Sequence, residues 1–562
     1  MSLTDSVVYQ IYPKSFRDST GDGVGDLRGI IEKVDYIASL GVDHVWFNPF
    51  FPSPGRDNGY DISDYCAIDP AMGTMEDFED LVAALGKRGI GVMLDMVLNH
   101  VSTDHEWFQR ALAGDPEYQD YFYLLPPKED GSLPTNWVSK FGGPAWAPFG
   151  DTGLYYLCLY DRTQADLNWH NPAVRAQAAR VVNFWRSKGV KDFRFDVINV
   201  IGKTLPLEDA PAGTDDRYMY TDGPLVHDYL RELSAASFGQ DPDAMTVGEM
   251  SSTTVEACVG YSNPANGELS MVFSFHHLKV DYANGDKWTR VPYDFAALKR
   301  ILNEWALGMQ AGGGWNALFW NNHDQPRAID RFADPVNYHV ESATMLATVI
   351  HLLRGTPYVY MGEEIGMTDP AYRSIEDYVD IEARNAYKEL TAGGMEPQEA
   401  FAVVHSKARD NARTPMQWNA EVPGAGFTTG TPWLRPTNQE AVNVEREEAQ
   451  GRILPYYRRL IALRQELPVI SRGAYAPYLL EHEDVLAYIR EHEGSRLLVL
   501  CNFSAHDAEV PVPEDFVAVR ILIGNYDGND SSRSPGGLPA AADRLEEGAL
   551  RLRPYEAIAL LA

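Results

Sequence analysis

The chain has 562 residues and a formal charge of −32 at pH 7, with 45% apolar and 11% aromatic residues. That length exceeds one hydrophobic core and implies two to four domains, while the acidic balance argues against nucleic acid or an anionic membrane as a partner. The four cysteines, Cys66, Cys158, Cys258 and Cys501, have no paired spacing, and no membrane-length apolar run or charged-then-apolar leader is present; this argues against a zinc site, a membrane span and a secretory signal, and points to reduced thiols in a cytoplasm.

Residues 7–13 read as a first strand. The turn after it, Asp18-Ser19-Thr20-Gly21-Asp22-Gly23-Val24-Gly25-Asp26, puts oxygen-bearing residues at alternate positions around a glycine, as a calcium loop does. It lacks the glutamate that an EF-hand has at its twelfth position, and a solvated Gly/Asp turn would have the same composition. Residues 27–40 form an amphipathic helix and 42–48 a second strand. In the next loop Tyr60 stands among Asp57 and Asp61, which suits stacking on a sugar with hydrogen bonds to its hydroxyls, although an ordinary turn can look alike. A helix at 75–88 leads into a strand at 91–101 that carries Asp95 and Asn99 on one face and His100 near its end. This alternation predicts a parallel sheet.

From 101 to 171 the alternation stops in a stretch rich in Pro, Gly, Trp and Tyr, too long for a loop, so it reads as an inserted domain. A helix at 174–188 ends at Gly189 and is followed by 191–199, where Phe193, Phe195 and Val197 alternate with Asp192, Arg194 and Asp196. Residues two apart share a strand face, so Arg194 lies beside Asp196 and favours its ionised form, as a carboxylate nucleophile requires. A structural ion pair in a sheet is the plainer alternative. Strands at 245–249 and 317–324 likewise end in Glu249 and in His323-Asp324. In a barrel of parallel strands, such C-terminal strand ends converge on one site. A further strand at 355–364 closes the series, 368–430 reads as irregular, and a helix at 453–466 precedes alternating strands at 485–490, 497–503 and 518–523.

In order, spacing and residue type, Asp95–His100, Phe193–Asn199, Val247–Met250 and Asn321–Asp324 resemble the four short regions of the α-amylase superfamily of retaining glycoside hydrolases. Gln164-Ala165-Asp166-Leu167-Asn168 and the octet Asn411-Ala412-Arg413-Thr414-Pro415-Met416-Gln417-Trp418 are similar to markers of its oligo-1,6-glucosidase-like subfamily, with Ala165 standing where proline is usual. The resemblance implies an α/β fold: a (β/α)8 TIM barrel from 1–100 and 172–475, an inserted domain at 101–171 after strand 3, and a C-terminal antiparallel β-sandwich at 476–562.

It also implies roles. Asp196 would be the nucleophile, Glu249 the proton donor, and Asp324 the holder of sugar hydroxyls, with His100, Arg194 and His323 binding substrate. Glu249 has no basic neighbour in its local sequence and lies on an apolar strand, which suits a proton donor. Asp57 and Tyr60 would line the subsite of the non-reducing glucose, with Arg413 paired to Asp57. One structural Ca²⁺ would be held by Asp18, Asp22, Asp26 and the Val24 carbonyl, with Thr20 where relatives often have asparagine; no organic cofactor is implied. Val197 is the residue found in relatives that accept α-1,6 bonds. However, His276, His277, Lys279 and Lys287 are basic where oligo-1,6-glucosidases are usually acidic, and this region resembles the members that cleave trehalose 6-phosphate. Such a cluster suits a phosphate dianion, or else salt bridges to nearby acids. The expected substrate is therefore a small, phosphorylated disaccharide, with isomaltose-type sugars as the alternative; a catalytically dead sugar-binding homologue is disfavoured because all three acids are present. The protein is expected to be a monomer or weak oligomer.

Overall fold

A computed structural model describes residues 3–516, 520–526, 545–546 and 548–562. Eight short strands, β1 (Val8–Ile11), β2 (His44–Phe47), β3 (Gly91–Met96), β4 (Asp192–Phe195), β5 (Thr246–Glu249), β6 (Met271–Phe273), β7 (Ala317–Leu318) and β8 (Thr356–Tyr360), form one sheet in the order β6-β5-β4-β3-β2-β1-β8-β7. All its neighbours pair in parallel. A parallel bridge between Val272 and Asn316 joins β6 to β7, so the sheet closes on itself as the (β/α)8 barrel. The strands are almost wholly buried, as expected when helices cover the outside and side chains fill the inside.

Local chemistry sets the helices between them. The helix Met75–Gly86 starts with a capping box between Thr74 and Asp77, and Pro172–Ser187 starts with Asn171 accepting from Ala173 N and proline at its first position. Gly189, at φ +93°, turns the chain out of that helix into β4. The helix expected over 27–40 is broken in two, Leu27–Glu32 and Val34–Ser39, at Lys33.

Three further expectations change. Strand β6 is only three residues long and was not legible as a strand. The strand expected over 191–199 stops at Phe195, because Val197 turns to φ +38° and a 3-10 turn follows at Ile198–Val200. A β-branched residue in the left-handed region is strained, and here it stands next to the proposed nucleophile. Residues 368–430 are not irregular: they contain the helices Ile381–Ala392 and Pro397–His405, which pack with Tyr372 and Tyr378 around a small core of their own. Their buried faces use mainly alanine and valine, so the apolar period is faint in the sequence.

The insertion begins as His100–Ser102 pairs antiparallel with Gln164–Asp166, and contains a small sheet of Leu124–Leu125, Tyr155–Leu157 and Trp146–Pro148. The C-terminal part has an antiparallel five-stranded sheet that includes Ala474–Tyr478, Val485–His492, Ser495–Asn502, Arg520–Gly524 and Ala557–Leu561, with a second three-stranded sheet. Ala518, in the third strand expected there, lies outside the described residues. Among the described residues no helix is long and apolar enough to cross a membrane.

Candidate active site

Asp196 follows β4, Glu249 ends β5, and Asp324 lies six residues beyond β7, because the strand expected over 317–324 stops at Leu318, as that expected over 91–101 stops at Met96; Arg194 links Asp196 and Glu249. Its Nη1 donates to Asp196 Oδ1 at 2.6 Å and to Asp95 Oδ1 at 2.6 Å, while Nη2 donates to Glu249 Oε2. Glu249 has no basic neighbour in its local sequence, but the adjacent strand supplies one, Arg194. Asp95 also accepts from the Tyr60 hydroxyl at 2.9 Å and Trp46 Nε1 at 3.2 Å, yet burial pushes it up to about 7. Asp95, Asp196 and Glu249 therefore share one buried guanidinium.

Asp324 receives Arg413 Nη2 at 2.8 Å and Arg409 Nη1 at 3.4 Å. Burial works to raise its pKa, but His323, Arg409 and Arg413 outweigh it and hold the carboxyl well below its usual range. The arginines supply the charge, since burial pushes His323 down to about 3 and leaves it neutral. Gln10 Nε2 lies 2.9 Å from Asn48 Oδ1 and 3.0 Å from His323 Nδ1, which assigns the imidazole proton to Nε2, facing Asp324 Oδ2 at 3.2 Å.

The sugar end of the pocket departs from expectation. Asp57 pairs with Arg409 at 3.1 Å, not with Arg413, which goes to Asp324; Gln164 Nε2 donates to its other oxygen at 3.0 Å. Burial pushes Asp57 up to about 7 despite both arginines. Tyr60 stacks on His323 with ring centroids 5.2 Å apart. His100 is buried, with Gln164 Nε2 at 3.3 Å and Tyr160 against its ring. Gln164 and Arg409 were missed by the sequence reading. Gln164 could have been found as the first residue of the marker it opens, whereas no local signal distinguishes Arg409.

Glu249, Asp324 and Arg409 line a cleft of about 620 Å³ that also takes in His276, Lys279 and Lys287. The four basic residues do not act alike. Lys287 is tied to both oxygens of Glu382, at 2.7 and 2.8 Å, and so is neutralised. His277 faces the Phe319 carbonyl at 2.8 Å through Nε2, and burial pushes both His276 and His277 down to about 4, so neither carries charge at neutral pH. Lys279 is exposed and lines the cleft, and its ammonium has no hydrogen-bond or ion-pair partner among the described residues.

The Asp18–Asp26 turn is closed by hydrogen bonds. Asp18 accepts from Thr20 N and Oγ1, Gly21 N, Gly23 N and Thr428 Oγ1, and Asp26 accepts from Ser19 N and Oγ and from Gly29 N. Asp22 accepts from Val24 N. Donors rather than lone pairs face the Asp18 oxygens, and among the described residues no three His, Cys, Asp or Glu side chains are grouped to hold a metal ion.

Comparison with known proteins agrees with this fold. The family model described as alpha amylase, catalytic domain, matches residues 10–473, and that of the maltogenic amylase C-terminal domain matches 479–526. A trehalose-6-phosphate hydrolase of Bacillus subtilis (strain 168) is 47% identical, with 98% of this chain and 97% of the relative covered. An oligo-1,6-glucosidase of Halalkalibacterium halodurans is 43% identical over 98% of this chain and 97% of its own. The crystal structure of Bacillus licheniformis trehalose-6-phosphate hydrolase superposes with a TM-score of 0.92 at 46% identity, covering 100% of this chain and 99% of that one.

Proposed function

The chain belongs to the alpha-amylase family of glycoside hydrolases, and on that premise we propose that it hydrolyses trehalose 6-phosphate to glucose and glucose 6-phosphate as an exo-acting, retaining α-glucosidase. The observation that carries this reading is a cation in the catalytic cleft: Lys279, whose ammonium has no hydrogen-bond or ion-pair partner among the described residues, lines the same cleft as Glu249 and Asp324.

The chemistry follows from who holds what. Asp196, kept beside Arg194, attacks the anomeric carbon of the unphosphorylated glucose and forms a glycosyl ester as the glycosidic bond breaks. Glu249 gives its proton to the departing oxygen of glucose 6-phosphate, then takes one from the water that opens the ester. Asp324, ionised between two arginines, binds sugar hydroxyls and steadies the positive, oxocarbenium-like sugar. Asp57, Tyr60, His100 and His323 orient the same ring. Released products test the reading: equal amounts of glucose and glucose 6-phosphate, with α-glucose appearing before mutarotation, are expected, and β-glucose appearing first would overturn the retaining assignment.

Val197 supports a second reading, cleavage of α-1,6 bonds in isomaltose-type sugars. A phosphorylated sugar is charged and does not cross membranes unaided, so the first reading carries with it a cytoplasmic location. Structural Ca²⁺ at Asp18, Thr20, Asp22, Val24 and Asp26 is proposed on the family resemblance alone. A rise in unfolding temperature with Ca²⁺ that is lost in Asp18→Ala would support it, and a melting curve indifferent to Ca²⁺ and to chelator would leave a hydrogen-bonded turn.

A further inference from the structure

We propose that Lys140 of the inserted domain and Arg217 of the loop after β4 join Lys279 to form the anchor for the substrate's phosphate. This rests on the reading of the substrate as a phosphorylated disaccharide and names the side chains that select for it. Three separate parts of the chain bring them together: the insertion carries Lys140, the 3-10 turn Asp216–Met219 carries Arg217, and Lys279 follows the 3-10 turn His276–Leu278 beyond β6. All three line the cleft that contains Glu249 and Asp324.

Their partners leave them available. The Lys140 ammonium donates to Ser251 Oγ, two residues beyond Glu249, and lies 5.7 Å from the ring centroid of Tyr160 and 5.6 Å from that of Tyr220. No carboxylate pairs with it among the described residues. Arg217 is engaged on one side by Asp215, with Nε at 2.8 Å from both oxygens, while its side chain remains 44% exposed. The nearby Asp216 is occupied by the Val138 amide, 2.6 Å away. Like charges gathered around a cleft repel unless an anion is meant to sit among them, and here burial, Arg217 and Lys279 together push Lys140 down to about 7. In a chain with a net charge of −32, Lys140 and Lys279 face this cavity with no ion-pair partner among the described residues, and Arg217 adds the donors that Asp215 leaves free. A phosphate dianion supplies three acceptor oxygens and would both satisfy the donors and restore the charge on Lys140. The aromatic rings beside Lys140 hold the ammonium by its cation–π attraction while leaving its remaining donors free.

The test compares Lys140→Ala, Arg217→Gln and the charge-preserving Lys140→Arg with the natural enzyme. Two readouts are used: kcat/KM on trehalose 6-phosphate and on unphosphorylated trehalose, and inhibition of aryl α-glucoside hydrolysis by glucose 6-phosphate relative to glucose. Loss of one charge-assisted contact should cut the preference for the phosphorylated sugar about ten- to a hundredfold, and weaken glucose 6-phosphate inhibition by a similar factor. Lys140→Arg should recover most of both. If Lys140→Ala and Arg217→Gln lose activity equally on phosphorylated and unphosphorylated sugars, or keep the natural enzyme's preference, the anchor is wrong although the phosphorylated-substrate reading stands. If the natural enzyme has no such preference, that reading has failed at its own step, and the anchor with it.

Discussion

Arg409 Nη2 lies 3.1 Å from Asp57 Oδ1, joining the end of the sugar pocket to a residue 352 positions away. The same guanidinium holds Asp380 at 2.5 Å, the N-cap of the helix Ile381–Ala392, so the helical segment after β8 and the pocket wall share one charge.

Arg409→Ala should therefore damage both stability and function. Removing one partner of a buried ion pair leaves an uncompensated carboxylate and costs about 3–5 kcal/mol. Asp57, already pushed up to about 7, should become neutral and bind sugar hydroxyls less well. Thermal unfolding and kcat/KM on an aryl α-glucoside are the measurements. A variant with a natural melting curve and unchanged kcat/KM would remove Arg409 from this role.

Asp196→Asn and Glu249→Gln should each remove most activity, by orders of magnitude, with the unfolding transition little changed, because shape is preserved and charge is not. The two should differ in one respect. A substrate whose leaving group needs no proton, such as α-glucosyl fluoride, should be spared in Glu249→Gln far more than in Asp196→Asn. Equal losses on that substrate would mean Glu249 is not the acid.

The sequence revealed the strand-end acids because each stands at the end of a short apolar run, and a parallel barrel brings such ends together whatever the loop lengths. What it concealed were contacts made between distant loops. Nothing near Arg409 names Asp57 as its partner, nothing near Glu249 names Arg194, and the Lys140 ammonium sits in an insertion whose turns have no period to read. Lys287 illustrates the converse, a cation that looked free locally and is bound by Glu382 from a segment almost a hundred residues away. Strand β6 was hidden for another reason: three buried residues are too few to show alternation.

Acid should destabilise the fold through its buried histidines. Burial pushes His351 down to about 3, and neither of its ring nitrogens has a hydrogen-bond partner among the described residues; His105, His276 and His277 lie at about 4. Between these values and the ordinary value of about 6.5 the unfolded chain binds protons that the folded chain does not. The contribution of these histidines is then complete above about pH 6.5 and lost as pH falls toward 4, opposite in sign to that of Asp57 and Asp95, which are pushed up to about 7. The unfolding temperature, followed from pH 8 to 4, should show that shape, and His351→Leu should make the decline shallower. Parallel declines in the two proteins would show that His351 does not contribute.

Selection of a phosphorylated disaccharide is measured as kcat/KM for trehalose 6-phosphate, trehalose, isomaltose and maltose under one set of conditions at low salt. Two or more charge-assisted contacts to the phosphate should make trehalose 6-phosphate the best substrate, by about a hundredfold or more over trehalose. Isomaltose turned over faster than trehalose 6-phosphate would contradict the account and assign the enzyme to α-1,6 glucosides.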